Sequence, residues 1–284
     1  MNEISKINAS TSNSISFSAK DFEYVSKLAK KKFGLNLSET KMPLVQSRIS
    51  KRMRELKISD FACYRQLLES RINRNEETKL LSVLTTNVTS FFRENHHFDY
   101  MKEDIRLRID QRGHLESPIR IWSAACSSGQ EVYSITMSLA EVCSQHKFVR
   151  FQVLASDIDP LMVESAKMAK YSLEQLNCIP SNLSDRYTQR VDANVFKVDQ
   201  RLVEKVEFKT INLIQLQKKT DFYDYIFCRN AAIYFDQETQ SSLWDNLADA
   251  LRVGGQLYIG HSERIHGRAK EKLQNCGITA YRRC

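Results

Sequence analysis

The hydrophobic pattern of the central part of the chain predicts a strand, a turn of small residues, a helix and a second strand. The apolar run Ile119–Trp122 leads into the small-residue turn Ser123–Gly129, and a helix is predicted to begin near Gln130. The second strand, residues 151–155, is followed by the acidic Asp157. This order is typical of a doubly wound α/β domain, in which ligands bind at the carboxyl ends of the strands.

The composition of the turn indicates the class of ligand. It contains a single glycine, Gly129, whereas the dinucleotide fingerprint GxGxxG needs three, and no GK[ST] sequence is present to bind phosphates. These absences argue against NAD and ATP. S-adenosylmethionine fits better, because it carries adenosine without a phosphate and Asp157 can accept hydrogen bonds from its ribose. The alternative is a structural turn in an unliganded α/β domain.

The amino-terminal part is predicted to be helical and basic. Residues 1–17 are rich in Ser and Asn and are predicted to be disordered, whereas apolar residues recur at helical spacing from Phe22. A second helix is predicted to open around Ser38 to Pro43. Residues 20–75 hold 14 Lys and Arg against 6 Asp and Glu, which accounts for the whole formal net charge of +8.

On the predicted second helix, cationic and apolar residues lie on different faces. Val45, Ile49, Met53 and Leu56 form an apolar stripe, while Lys41, Arg48 and Arg52 share another face that is expected to be free for a partner. A solvated helix surface and electrostatic docking on an acidic partner are both compatible with this face. Nucleic acid is not expected, because the segment has no RNA-binding motif, no interleaved aromatic residues and no zinc-finger spacing.

Composition sets further bounds. The chain has 284 residues, enough for two domains, with 42% hydrophobic and 27% charged residues, and no apolar run is long enough to span a membrane. A cytoplasmic location is expected. The seven cysteines show no metal-ligand spacing, so reduced thiols and no metal are expected, and His96 and His97 are interpreted as helix surface.

Two further motifs contain polar residues close to aromatic ones. In the first, Arg93 follows Phe91 and Phe92, and the segment is interpreted either as a lid over a ligand or as a capped helix start with both rings in the core. In the second, an apolar strand at 222–228 ends in Arg229 and Asn230. Arg229, Asn230 and the following Tyr234 are expected near the cofactor. Asp236 is interpreted as a helix cap, which accounts for part of the same pattern.

Taken together, these motifs resemble the chemotaxis-receptor glutamate O-methyltransferases, the CheR family. The resemblance runs from about residue 20 to the end and rests on TNVTSFFRE at 86–94, IWSAACSSGQEVYS at 121–134, ASDID at 155–159, INL at 211–213, FCRNAAIYFD at 227–236 and GHSE at 260–263.

The resemblance implies an α/β fold, namely a Rossmann-like class I S-adenosylmethionine-dependent methyltransferase domain with a small amino-terminal helical domain and an inserted antiparallel β subdomain. The implied boundaries are a basic receptor-recognition domain at 18–95, a linker helix at 96–117 and the methyltransferase domain at 118–284, with the insert at about 172–205.

Carried over residue by residue, the family's contacts define a cofactor site and a receptor surface. The implied cofactor-binding residues are Asn87, Thr89, Arg93, Glu131, Asp157, Asn212, Leu213, Arg229 and Asn230. Arg93 and Tyr234 are expected near the reacting centre, and the basic second helix, with Lys41, Arg48 and Arg52, is associated with recognition of the receptor's methylation helix.

The implied reaction is methyl transfer from S-adenosylmethionine to receptor glutamates for chemotactic adaptation, by a monomer recruited to membrane receptor arrays. The chain departs from the family at Gln130, Val132, Ala231 and Ala232, each beside an implied contact. The segment 186–208 lacks the glycine-rich stretch of members that tether to a receptor's carboxyl-terminal pentapeptide, so independence of that tether is expected. A noncatalytic S-adenosylmethionine-binding module and an RNA methyltransferase are the alternatives.

Overall fold

A computed structural model describes residues 16–70, 74–112, 118–146, 148–216 and 220–284. The chain divides into two compact units, one formed by residues up to 29 together with 37–85, the other by 30–36 together with 86–284. Within the described residues, no helix has the length and apolar character needed to cross a membrane. The predicted disordered tail lies outside these residues except for its last two, of which Phe17 is buried and packs edge-on against Phe61 at 5.1 Å.

The first unit is helical, as predicted. Val45, Ile49 and Met53 on its second helix are buried, and Pro43 lies in the first turn of that helix, where its missing N–H costs no hydrogen bond. A 3₁₀ turn at Glu39–Lys41 precedes it. The helices are α1 (Ala19–Phe33), α2 (Met42–Glu55), α3 (Phe61–Glu69) and α4 (Arg74–Leu84).

The second unit alternates strands and helices. Its strands are β1 (Ile119–Ser123), β2 (Phe151–Asp157), β3 (Lys170–Ser172), β4 (Thr188–Arg190), β5 (Val195–Val198), β6 (Val206–Thr210), β7 (Tyr223–Cys228), β8 (Leu251–Ile259), β9 (Leu273–Gly277) and β10 (Ala280–Arg283). Its helices are α5 (His96–Arg112), α6 (Gln130–Gln145), α7 (Pro160–Met168), α8 (Ser181–Tyr187), α9 (Gln200–Val203), α10 (Gln237–Ala250) and α11 (Ala269–Lys272).

In the described part of the chain, seven strands form one sheet in the order β6-β2-β1-β7-β8-β10-β9. The first five strands are parallel, and β10 runs antiparallel to both of its neighbours. Ser123 is paired with Ala155 on one side and Phe227 on the other, so the carboxyl ends of β1, β2 and β7 meet at one edge. The predicted doubly wound α/β fold is confirmed.

The helix α5 is part of the core of the second unit. Phe98, Met101, Ile105 and Ile109 are buried against the central strands. The interpretation of His97 as helix surface is wrong: its side chain is 0% exposed and packs on Tyr258. Helical spacing explains this, because His97 lies four and eight residues before the buried Met101 and Ile105 and so shares their inward face. Residues 113–117 of the predicted linker lie outside the described part of the chain.

The insert is a small antiparallel sheet, as predicted. Its strand order is β3-β5-β4, and its core contains Tyr171, Leu183, Phe196 and Val198. Phe91 joins this core, with its ring 4.9 Å from that of Tyr171. The insert is thereby packed against the segment that bears the predicted cofactor contacts.

Candidate functional site

The turn between β1 and α6 forms the floor of a site at the carboxyl edge of the sheet. Gly129 has a φ of 98°, and a Cβ there would lie 2.7 Å from the Tyr171 hydroxyl and 2.9 Å from Ala166 Cβ. Only glycine meets both requirements, because the left-handed conformation and the close approach each disfavour a side chain. The turn is held by the amide of Cys126, which donates to the carbonyl of Ser156 at the end of β2.

Asp157, the last residue of β2, lies beside this turn. Its carboxylate accepts hydrogen bonds from the amides of Ser127 at 2.8 Å and Asp159 at 2.9 Å. The residue is 8% exposed, and burial raises the pKa of the carboxyl, opposed by the backbone donors. Each carboxylate oxygen has a second lone pair, so Asp157 retains acceptor capacity for the hydroxyls of a ribose.

The segment 86–93 runs along this edge and is fixed at several points. The Ser127 hydroxyl donates to the carbonyl of Asn87 at 3.0 Å, and the Asn87 amide donates to Asp159 at 3.5 Å. The amide of Phe92 donates to the Ser134 hydroxyl on α6 at 2.9 Å. Asn87 therefore lies beside the turn between β1 and α6. Thr89, two residues further along the chain, is half-buried.

Arg229, at the end of β7, ties together residues that are far apart in the sequence. Its guanidinium lies 3.0 Å from Glu131 and 3.2 Å from Glu94, and it also donates to the carbonyl of Arg93. The Arg229 side chain is 2% exposed. The Ser123 hydroxyl donates to the other oxygen of Glu131 at 2.7 Å. Glu131 and Arg229 thus form a buried pair that anchors segment 86–93 to α6.

The two carboxyls around Arg229 have opposite pKa shifts. Burial raises the pKa of Glu131, and the charge of Arg229 acts against this. At Glu94 burial also acts to raise the pKa, but the opposing influences, with Arg229 first among them, lower it below its ordinary value. Burial lowers the pKa of the neighbouring His97 to about 3, so this imidazole is neutral near pH 7.

The side chains of Arg93 and Tyr234 each donate to a backbone carbonyl of segment 86–93. The Arg93 guanidinium donates to the carbonyl of Val88 at 3.4 Å, and the Tyr234 hydroxyl donates to that of Thr86 at 3.4 Å. Both hydrogen bonds are long and therefore weak. Both side chains are half-buried, which leaves them accessible to a substrate.

Three further predicted residues are held by hydrogen bonds or by packing in the core. Asn212 caps a 3₁₀ turn by accepting from the amide of Ile214, and it donates to the carbonyl of Lys32 at 3.0 Å. Leu213 is buried in the core beside this cap. Asn230 has a φ of 58°, and its amide donates to Glu263 at 3.0 Å. These residues lie at the carboxyl ends of β6 and β7.

Several residues of the site were missed by sequence reasoning. Ser127 supplies an amide and a hydroxyl, Asp159 caps α7 and contacts Asn87, and Glu94 shares Arg229 with Glu131. All three lie within the family-like motifs at 121–134, 155–159 and 86–94, and membership of these motifs was the signal that could have identified them. Their contacts join positions up to 135 residues apart along the chain, which local spacing does not reveal. No group of three or more His, Cys, Asp or Glu among the described residues is arranged to hold a metal ion.

The predicted receptor-binding arginines are engaged within the first unit. Arg48 lies 3.0 to 3.2 Å from the carbonyls of Val83, Leu84 and Thr85, at the end of α4. A cation at this position satisfies terminal carbonyls and interacts favourably with the helix dipole.

Arg52 forms a two-pronged ion pair with the buried Glu76, at 2.7 and 3.0 Å. The expectation that Arg48 and Arg52 form a free face is therefore wrong, because helical spacing places them on one side of α2 but does not show that α4 occupies that side. Lys41 ends the 3₁₀ turn before α2 and is half-buried.

The doubly wound parallel strands, with the antiparallel β10 beside them, and the acidic residue that ends β2 fit the class I S-adenosylmethionine-dependent methyltransferases. Two family models match the chain: CheR methyltransferase, SAM binding domain, over residues 87–282, and CheR methyltransferase, all-alpha domain, over residues 20–85. The chain belongs to the CheR methyltransferase family.

Curated relatives are similar along most of their length. A probable chemotaxis protein methyltransferase of Rhizobium etli is 39% identical over 252 residues, which cover 88% of this chain and 94% of the relative. Chemotaxis protein methyltransferase 2 of Pseudomonas aeruginosa is 36% identical, over 93% of each chain. The chemotaxis protein methyltransferase of Escherichia coli is 36% identical, over 86% of this chain and 84% of the relative.

Proposed function

We propose that the protein methylates glutamate side chains on the cytoplasmic helices of chemoreceptors, forming glutamyl methyl esters during chemotactic adaptation. The observation that carries the proposal is that Arg93 and Tyr234 each donate to a carbonyl of segment 86–93, which the Ser127 hydroxyl joins to the turn beside Asp157. The relatives, which are all named as chemotaxis protein methyltransferases, support a methyltransferase that acts in chemotaxis.

The site is suited to hold S-adenosylmethionine. In the proposed complex Asp157 accepts from the ribose hydroxyls, residues 212–213 border the adenine, and Asn87, Thr89 and Asn230 contribute around the methionine part. Glu131 and Arg229 neutralise each other, so we propose that they shape the wall of the site and meet the ligand through atoms outside their ion pair. When bound, the cofactor supplies an electrophilic methyl group whose transfer leaves S-adenosylhomocysteine.

The residues near the reacting centre are proposed to orient and not to remove protons. A glutamate has a reference pKa of about 4.3, so near neutral pH its carboxylate is already ionised and needs no general base. Arg93 would bind the substrate carboxylate by charge-assisted hydrogen bonds, and Tyr234 would donate a further one. Holding the reactants in near-attack geometry can lower the barrier by roughly 7 kcal/mol or more.

The first unit is proposed to dock the acidic methylation helix. Because Arg48 and Arg52 are engaged with α4, the docking charge would come from exposed cations on α2, among them Lys51 and Arg54, together with Lys41. Docking of this kind steers association more than it adds affinity. It would recruit the protein to membrane receptor arrays. The monomeric state stays a prediction.

A receptor methylation assay tests the proposal. The purified protein is incubated with methyl-labelled S-adenosylmethionine and a receptor cytoplasmic fragment, and base-labile label is collected as methanol. We expect methanol release that is lost in Arg93→Ala, while Arg54→Ala keeps turnover at saturating receptor. Bound S-adenosylhomocysteine without any label, across a panel of receptors, would contradict the proposal and favour a noncatalytic binding module.

The proposed independence of a pentapeptide tether needs a separate pair of substrates. The insert connects β4 to β5 through residues 191–194, of which none is glycine. Receptor fragments with and without their last five residues should be methylated at rates within about twofold at equal concentration. A loss of an order of magnitude on truncation would contradict independence, because an effective local concentration would then be at work.

A further inference from the structure

The carboxylate of Glu263 is buried in the loop after β8 and binds several backbone amides. Its Oε2 accepts from Gly260 at 2.6 Å and from Asn230 at 3.0 Å, and its Oε1 accepts from Ala232 at 2.8 Å. The residue is 4% exposed. Two of these donors belong to the loop after β7, so one side chain joins the two loops.

The loop after β7 needs such a partner. Asn230 has a left-handed backbone, which costs free energy in a residue other than glycine. The next residues form the 3₁₀ turn Ala232–Tyr234, whose first amides have no partner within the turn. An anionic acceptor at the start of a helical turn satisfies these amides and is favoured by the local dipole.

Gly260 makes the approach of the two loops possible. A Cβ on this residue would lie 2.4 Å from Nδ2 of Asn230 and 2.9 Å from its backbone nitrogen. These distances are shorter than any normal contact, so a larger residue would displace Asn230. Gly260 and Glu263 thus act on the same loop from two positions of the GHSE motif.

We propose that Glu263 is a positioning residue for methyl transfer, with a separate task for each oxygen. Its Oε2 fixes Asn230, on the cofactor side of the loop, and its Oε1 fixes Ala232, the residue that begins the turn bearing Tyr234. The inference rests on the proposed function in that it takes Tyr234 to be near the reacting centre.

Glu263→Gln separates the two tasks, because glutamine has a single acceptor oxygen. That oxygen is best placed toward the two amides of Gly260 and Asn230, which leaves the Ala232 amide facing an NH₂ group. We expect kcat to fall roughly 10- to 100-fold, while the Kd for S-adenosylhomocysteine stays within about twofold of wild type. Retained binding also shows that the variant is folded.

Gly260→Ala should give the opposite pattern. Displacement of Asn230 is expected to weaken S-adenosylhomocysteine binding about 10-fold or more, in line with the loss of one or two hydrogen bonds. Glu271→Gln, at an exposed position of α11, is the matched control and should leave both constants unchanged.

A double-mutant cycle with Tyr234→Phe completes the test. If Glu263 acts through Tyr234, then Glu263→Gln should slow the Tyr234→Phe variant much less than it slows the wild type. A wild-type kcat for Glu263→Gln, or a fully additive loss in the double variant, would overturn the inference. Failure of the proposed function looks different, since the wild type itself would then release no methanol, and the inference would fall with it.

Discussion

Arg229 and Glu131 form an ion pair with a separation of 3.0 Å, and both side chains are buried. The same guanidinium also contacts Glu94 and the carbonyl of Arg93. Two residues in this stretch, Phe92 and Glu94, have positive φ angles of 52° and 53°, a conformation that persists only when the surroundings impose it. The ion pair is therefore the anchor of segment 86–93.

Replacement of Arg229 by methionine should destabilise the protein and release segment 86–93 from its contact with Arg229. It leaves Glu131 buried without a counter-charge, and loss of one partner of a buried pair costs about 3–5 kcal/mol. We expect a lower midpoint of urea unfolding and weaker S-adenosylhomocysteine binding by titration calorimetry. Arg229→Lys keeps the positive charge but loses the planar guanidinium. Its unfolding midpoint and its affinity should lie between those of the wild type and Arg229→Met. Equal stability of all three proteins would contradict this role.

Replacement of Asp157 by asparagine should weaken cofactor binding, because asparagine has one acceptor oxygen and its NH₂ group would face the amide of Ser127 or Asp159. A hydrogen bond to a charged group is worth about 1.5–3 kcal/mol, so the Kd for S-adenosylhomocysteine should rise roughly 10- to 150-fold. Asp185→Asn, at an exposed position of α8, should have no effect on the same titration. A Kd unchanged in Asp157→Asn would place the ribose elsewhere.

Arg52 and Arg54 lie two residues apart on α2 and should behave differently. Arg52→Met leaves the buried Glu76 without its ion pair, although the Tyr64 hydroxyl still donates to it at 2.9 Å. We expect a loss of about 3 kcal/mol or more in unfolding free energy. Arg54→Met, at an exposed position, should leave the unfolding midpoint unchanged and raise the KM for receptor. If Arg52→Met instead raised only the KM for receptor and Arg54→Met lowered the stability, the free basic face predicted from the sequence would be supported.

His97 should make the protein less stable in mild acid. Its folded pKa is lowered to about 3 by burial, whereas an unfolded histidine titrates near 6.5, so between these values only the unfolded chain gains the proton. Stability conferred by the neutral ring is complete above pH 6.5 and falls as the pH falls toward 3.

The expected loss between pH 7 and pH 5 is about 2 kcal/mol. Urea unfolding at both pH values measures it, and His97→Gln should lack this component. His146→Gln, on the half-buried residue that follows α6, is the control and should keep the wild-type dependence. Parallel pH profiles for wild type and His97→Gln would show that the ring is not the source.

The central sheet was predictable because its information is local. The alternation of β1, α6 and β2 follows from short apolar runs separated by a turn with a required glycine at Gly129. The acidic residue at the end of β2 and the cap at Asp236, which accepts from the amide of Thr239, were likewise visible in the sequence. Each of these features involves residues close together in the chain.

Features that depend on distant partners were not predictable. Arg229 meets Glu131 across 98 positions, and Arg52 meets Glu76 across 24. Helical periodicity assigned Arg52 to a face of α2 but gave no indication that this face is covered. The same applies to His97, whose ring contacts Thr279 at a separation of 182 residues.

The contacts of Arg48 and Arg52 with α4 bear on how the protein responds to salt. A guanidinium that is already hydrogen-bonded within the protein holds few counterions, so few are released when an acidic partner binds. The electric field of the other, exposed charges decays over about 10 Å at 0.1 M salt. The ionic-strength dependence of receptor affinity should therefore be shallower than the 14 basic residues in positions 20–75 suggest. Encounter with the proposed receptor would be governed by a few outward cations, and the protein would tolerate changes in salt concentration that weaken binding by a fully exposed basic helix.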